Sequence, residues 1–188
     1  MVVFDLDGVI AKYVPSDYKD ADGKENFKFL REGYFLEREV DPFALGIFRA
    51  CVKSMPDETF AITGVSDDIQ HKNRLTIDKL IWTNNKAPEF DIGSKFISTS
   101  DSKAKVVELL RGRPLTKRDI LIDDYNKNLY SWIAAGGTAI KYINEYNSVW
   151  DGYIIDSREF NKEDIDCDNN KKMIQDAFHS IVHIMLEA

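Results

Sequence analysis

The chain has 188 residues, 44% of them hydrophobic and 30% charged, with a formal net charge of −7. That length can bury a substantial core in one domain. The acidic balance argues against broad binding to nucleic acid polymers or anionic membrane surfaces, and the apolar runs fall far short of a membrane span.

Val2-Val3-Phe4 predicts a short buried strand, which starts too early to leave room for a signal peptide ahead of it. It runs into Asp5-Leu6-Asp7-Gly8. Alternate residues of an extended segment point the same way, so both carboxylates can reach one pocket. Gly8 permits the chain to reverse there. Two close carboxylates repel unless a cation or a shared proton neutralises them. Taken alone, the pair reads first as an acidic turn after a strand.

Residues 11–42 mix charges with Tyr13, Tyr18, Phe27, Phe29, Tyr34 and Phe35. A segment this long between a first strand and its helix predicts a small cap over the carboxyl ends of the strands. Its aromatics either form the cap's own small core or stack on a planar substrate. Asp41-Pro42 predicts a helix start, an N-cap followed by a first-turn proline. Phe43, Ile47, Phe48, Cys51 and Val52 then repeat at helical spacing until Pro56. The two cysteines, Cys51 and Cys167, match no metal or redox spacing, so reduced thiols and a cytoplasmic setting are expected.

Thr59-Phe60-Ala61-Ile62 predicts the second strand, ending in Thr63-Gly64-Val65-Ser66. A hydroxyl and a glycine at a strand end offer side-chain and backbone donors to an anion, although Thr-Gly there is also an ordinary turn. A helix from Ile69 to Trp82 is expected to break at Asn84-Asn85-Lys86-Ala87-Pro88. Lys95-Phe96-Ile97-Ser98 predicts a third strand. Thr99-Ser100-Asp101-Ser102 offers N-caps to a helix carrying Lys103, Val106, Val107, Leu109 and Leu110. A cation in that first turn opposes the helix dipole, a conflict that nearby carboxylates would remove. Lys105 is the alternative to Lys103, and a solvated surface lysine is the plain reading of either.

The basic run from Arg111 to Arg118 joins this helix to the next strand, on the sheet edge opposite the acids. Terminating the helix with cations accounts for it. Asp119-Ile120-Leu121-Ile122 predicts the fourth strand, followed at once by Asp123-Asp124. A helix from Lys127 to Ala135 stops at Gly136-Gly137. Thr138 to Tyr142 predicts a fifth strand, and Trp150 to Ile155 a short extra strand or packed loop. The C-terminal element at 169–187 carries a helix, Lys171 to about Leu186, with Ile174, Phe178, Ile181, Val182 and Met185 on one face. That face packs on the core or on a partner copy, so a homodimer is open. His179 and His183 have the spacing of two ligands on one helix face, but no acidic third ligand accompanies them.

Strands alternating with helices predict an α/β fold, a three-layer, Rossmann-like core with a parallel sheet of about five strands over a single domain, 1–188. Asp5/Asp7, Thr63, Lys103 and Asp123/Asp124 all fall at the carboxyl ends of its strands, where such sheets bind ligands.

In these features the sequence resembles the haloacid dehalogenase (HAD) superfamily of phosphohydrolases. Phe4-Asp5-Leu6-Asp7-Gly8-Val9 matches the first motif of that superfamily, Thr63 its hydroxyl motif, Lys103 its lysine motif and Ile122-Asp123-Asp124 its acidic motif, in the right order over residues 1 to about 143. Within the superfamily it is most similar to the 5′(3′)-deoxyribonucleotidase group, through Gly33-Tyr34-Phe35, Asp78-Lys79-Leu80-Ile81-Trp82, Leu121-Ile122-Asp123-Asp124, Asn128-Leu129 and Ala134-Ala135-Gly136-Gly137. Gly64-Val65 stands where that group usually has a Ser-Pro-like pair, and the insertion is shorter than the group's cap.

The resemblance implies a Mg²⁺-dependent phosphomonoester hydrolase, 5′-nucleotidase-like, acting on (deoxy)nucleoside monophosphates or a similar small phosphorylated substrate. Asp5 would attack phosphorus to give an aspartyl-phosphate, and Asp7 would protonate the leaving oxygen and then deprotonate water. Thr63 and the Gly64 amide would hold phosphate oxygens, and Lys103 would bridge Asp5 and the phosphoryl group. The implied Mg²⁺ ligands are Asp5, the Asp7 backbone carbonyl and Asp124, with Asp123 behind them. One alternative is a catalytically silent sensor of phosphorylated ligands, or a partner-binding protein on the same fold. Another is a phosphoryl-accepting receiver domain. There, however, an acid cluster follows the first strand and the acceptor lies at a later strand end, unlike the Asp-X-Asp that opens this chain.

Overall fold

Strand β1 (Val2–Asp5) is buried along its whole length in the middle of a six-stranded parallel sheet. A strand covered on both faces carries a continuous apolar run rather than an alternating one, which is why four residues suffice to mark it. The computed structural model describes residues 1–12, 33–65, 69–88, 96–147 and 149–188. The predicted cap at 11–42 and its aromatics Tyr13, Tyr18, Phe27 and Phe29 therefore lie largely outside the described residues, as does Ser66.

The remaining strands are β2 (Thr59–Gly64), β3 (Phe96–Thr99), β4 (Ile120–Asp123), β5 (Thr138–Ile143) and β6 (Tyr153–Asp156). They are ordered β3-β2-β1-β4-β5-β6, and every neighbouring pair is parallel. The sequence predicts about five strands. The sixth arises because Tyr153–Asp156, which ends one residue past the predicted Trp150–Ile155 segment, pairs with Ile140–Ile143 of β5. The connections run through α1 (Pro42–Ser54), α2 (Ile69–Lys86), α3 (Lys103–Arg111) and α4 (Asn126–Ala134), and α5 (Asp168–Glu187) closes the chain. A 3-10 helix at Tyr34–Glu37 precedes α1.

Strand alternation divides the core between two faces. Val2, Phe4, Ala61, Ile120, Ile122, Ile140 and Tyr142 pack with Phe43, Ile47 and Phe48 of α1, Trp82 of α2 and Ile181 of α5. Val3, Ile62, Leu121 and Ala139 point the other way, onto Val107 of α3 and Leu129 and Trp132 of α4. The helices thus cover both faces, giving the predicted three layers. The α1 start is as the sequence predicts: Pro42 is in the first turn, and the Asp41 carboxylate accepts from the amides of Phe43 and Ala44 at 3.0 and 3.1 Å. A cap of this kind contributes about 1 kcal/mol.

Helix α4 lies one residue earlier at each end than predicted, and two other boundaries differ by more. Helix α2 runs through Asn84 and Asn85 to Lys86, because asparagine is only mildly unfavourable inside a helix, and the chain leaves the helix just before Pro88. Helix α5 begins at Asp168, three residues earlier than Lys171. At the amino end of the sheet, Arg113 from the basic run grips the buried Asp119 with both guanidinium nitrogens, at 2.7 and 3.0 Å. Arg111 reaches Glu58 at 3.2 Å.

Candidate active site

The sheet order reverses at β1, whose two flanking strands are β2 and β4. This is the switch point at which open α/β sheets leave a crevice beyond their carboxyl ends. Register places Phe4 beside Ile122, so the next residues, Asp5 and Asp123, leave the sheet side by side. Asp5, Asp123 and Asp124 each bring a carboxylate oxygen within 4.8 Å of the others. Acids from the two ends of the first 124 residues are thereby gathered at one point.

Lys103 stands between them. Its Nζ lies 2.7 Å from Asp5 Oδ1 and 2.7 Å from Asp123 Oδ2, and the side chain is buried. These contacts remove the conflict between a first-turn cation and the dipole of α3. Lys105, by contrast, is solvent-exposed and pairs with Asp101 at 3.2 Å, so the structure brings Lys103 and not Lys105 to the acids. Burial works against the charge of Lys103, but Asp123 and Asp5 outweigh it and hold its pKa above the usual lysine value. Asp5 is pushed well above the ordinary carboxylate range, first by burial and then by the Asp123 charge, with Lys103 opposing.

Asp123 and Asp124 are adjacent but differently committed. Asp123 Oδ1 accepts from the Tyr125 amide at 2.8 Å, and its Oδ2 accepts from Lys103 and from Asn128 Nδ2 at 3.0 Å. Protein donors thus occupy both of its oxygens. Asp124 Oδ2 takes only a long bond from Asn144 Nδ2, at 3.3 Å. The same Asn144 nitrogen donates to the Gly8 carbonyl at 2.9 Å, tying the first loop to the acid loop. Lys141 Nζ donates to the Asp124 carbonyl and to Asn126 Oδ1, which shapes that loop from below. Burial, then Asp123, raise the Asp124 pKa to about 7.

Hard, clustered oxygens whose ionised forms are penalised by burial and by one another suit a divalent cation such as Mg²⁺. Asp5 and Asp124 have more oxygen capacity to spare for it than Asp123, which already accepts from Lys103, Asn128 and the Tyr125 amide. The histidines of α5 take no part in this grouping: His183 pairs with Glu187 at 3.2 Å.

Asp7 lies on the other side of Asp5, with its side chain 30% exposed. Its Oδ2 accepts from the Thr63 hydroxyl at 2.8 Å, which brings the end of β2 into the site with Gly64 beside it. The same oxygen accepts from Lys79 Nζ at 2.5 Å. Lys79 is a site residue that reading the sequence assigned no role. It lies mid-α2 in the stretch Asp78-Lys79-Leu80-Ile81-Trp82, where a lysine ordinarily points to solvent. A buried lysine carries no periodic or motif signal of its own. Phe35 from the 3-10 helix covers it, with the ring centroid 5.0 Å from Nζ, and packs edge-on against Trp82.

No protein-family model matches the chain, and no curated protein matches it. Among solved structures, it is similar to the crystal structure of a candidate HAD-like phosphatase from Mesorhizobium loti. The two share 13% identity over 97% of this chain and 86% of that one, with a TM-score of 0.51. At that identity the likeness is one of fold, and it agrees with the Rossmann-like core that the strand order describes. Among the described residues, no helix is long and apolar enough to cross a membrane.

Proposed function

We propose that the protein is a Mg²⁺-dependent phosphomonoester hydrolase that works through an aspartyl-phosphate on Asp5. Nucleoside monophosphates are the first substrates to try, on the strength of the sequence stretches shared with deoxyribonucleotidases. The observation that carries the reading is a buried carboxylate, Asp5, held against a buried lysine and within 4.8 Å of a second acid pair. Such a group is costly to bury and earns no packing, so its place in a crevice points to chemistry.

Phosphate monoesters are among the slowest biological bonds to hydrolyse, and a covalent intermediate divides the barrier. In the first half, an Asp5 oxygen forms the new bond to phosphorus while the ester P–O bond breaks. The electron pair passes to the leaving oxygen, which takes a proton from Asp7. In the second half, water attacks phosphorus, Asp7 accepts the water's proton, and Asp5 is released with inorganic phosphate. Thr63 and the Gly64 amide hold phosphoryl oxygens, and Lys103 neutralises charge between Asp5 and the phosphoryl group. Asp5, the Asp7 carbonyl and Asp124 would hold Mg²⁺, which would supply charge neutralisation for a carboxylate approaching an anionic ester. Asp123 keeps Lys103 and the acid loop in place.

The test is phosphate release from a panel of nucleoside monophosphates and sugar phosphates, with Mg²⁺ and with chelator. We expect Mg²⁺-dependent turnover and an acid-labile phosphoryl group on Asp5 in the burst phase. Asp5→Asn should lower kcat to background while the protein stays folded. Full turnover by Asp5→Asn, or Mg²⁺ and ligand binding without any product, would exclude the reading.

A further inference from the structure

The reaction outlined above gives work to Asp5, Asp7, Thr63 and Lys103 but none to Lys79. Lys79 is 4% exposed, and its ammonium rests on three oxygens, Asp7 Oδ2 at 2.5 Å, Thr63 Oγ1 at 2.7 Å and the Gly64 carbonyl at 2.7 Å. An ammonium has three protons, so three acceptors satisfy it. A lysine buried at such a cost, where an apolar residue would pack against Phe35 without it, is placed for what it holds. What it holds is one particular oxygen. Asp7 Oδ2 receives both Lys79 and the Thr63 hydroxyl, while among the described residues no hydrogen bond reaches Asp7 Oδ1.

We propose that Lys79 is the positioning residue for Asp7. It anchors Oδ2 and fixes the carboxyl plane, leaving Oδ1 as the oxygen that exchanges the proton. The inference rests on the hydrolase reading, in which Asp7 gives its proton to the leaving oxygen as the ester bond breaks. It makes a claim that a general structural role does not. A nitrophenolate departs without help from an acid, whereas an alkoxide needs the proton. Loss of Lys79 should therefore be felt according to the leaving group.

The experiment compares wild type, Lys79→Met, Asp7→Asn and the double variant on p-nitrophenyl phosphate and glycerol 2-phosphate. The quantity read is kcat/KM, which covers only steps up to departure of the leaving group. Lys79→Met should lose about 30-fold or more on the alkyl ester and less than about 5-fold on the nitrophenyl ester, within the range that acid catalysis supplies. Asp7→Asn should show the same asymmetry, and adding Lys79→Met to it should cost no more than about 2-fold further, because the two act as a unit. The Mg²⁺ Kd, measured by calorimetry, should not move, since Lys79 holds the Asp7 carboxylate, the Thr63 hydroxyl and the Gly64 carbonyl, and the only Asp7 atom among the proposed Mg²⁺ ligands is its backbone carbonyl.

If Lys79→Met does not fold, Lys79→Gln is measured in its place with the same expected asymmetry. An even loss on both esters, additive losses in the double variant, or a weakened Mg²⁺ Kd would overturn the role while leaving the hydrolase reading intact. A wild type that releases phosphate from neither ester, nor from any other monoester, would remove both.

Discussion

At Gly8 a missing side chain makes room for a carboxylate. The residue has φ of +76°, and a Cβ built there would come within 2.2 Å of Asp124 Oδ2. To make room, the Asp124 carboxylate would have to swing off the bond from Asn144, whose nitrogen also holds the Gly8 carbonyl. Gly8→Ala should thus cost about 1–3 kcal/mol through the strained backbone alone. It should also weaken Mg²⁺ binding by about 10-fold or more, as losing a ligand's support does. Calorimetric titration with Mg²⁺ alongside urea unfolding separates the two effects. Unchanged Mg²⁺ affinity would show that Asp124 is not held in place for a metal. The glycine is legible in the sequence as a turn, since it follows Asp-X-Asp. Its quarrel with Asp124, 116 positions away, is not. Asn144 and Lys79 are hidden for the same reason: each is an ordinary polar residue until the sheet order sets it beside its acid.

Among the elements, α5 is held by its packing against α1 and the core cluster beneath it. It lies on α1 so closely that a Cβ at Gly46 would meet Ile174 Cδ1 at 2.5 Å. Ile181 is the one member of its predicted apolar face that is fully buried, at 0% exposure, while Ile174, Phe178 and Met185 are partly covered. Ile181→Ala removes three methylene-sized groups from a packed site and should destabilise the fold by about 2–5 kcal/mol, read as a lower urea midpoint with an unchanged slope. A loss under about 0.5 kcal/mol would mean that α5 is not docked through this residue. The helical spacing in the sequence identifies the face but not its centre, because periodicity reports direction and not depth. Buried strands were legible from short apolar runs with breakers on either side. Strand β6 was only half legible: Tyr153 and Ile154 are exposed and Ile155 is its one buried apolar residue, so an edge strand carries little pattern.

For the molecule as a whole, the site is a load on stability that a bound cation would relieve. Asp5 and Asp124 have folded pKa values raised above their unfolded ones, Asp124 to about 7, with burial the first cause and the Asp123 charge the second. The folded state therefore binds more protons than the unfolded chain between about pH 4 and pH 7, and stability falls as pH rises through that window. Carboxylates shifted the other way, such as Glu39 beside Lys12 and Glu145 beside Lys162, stabilise the fold above their unfolded pKa and lose that contribution only as pH falls below about 5, so they add no slope in this window. Lys103, with its pKa raised, stays charged throughout. Metal-free protein should accordingly lose about 2–4 kcal/mol between pH 5 and pH 8, and Asp124→Asn should flatten the slope. Mg²⁺ bound to the ionised carboxylates, as proposed, should reverse the sign of the effect. Saturation at about 100 times its Kd should return about 2.7 kcal/mol at pH 8 and much less at pH 5, and binding near neutrality should expel protons. Scanning calorimetry at both pH values, with and without Mg²⁺, reads the first effect, and titration in two buffers of different ionisation enthalpy reads the second. A chelated protein equally stable at pH 5 and pH 8, with Mg²⁺ raising Tm by the same amount at both, would mean that the acids are not competing for protons and metal at one site.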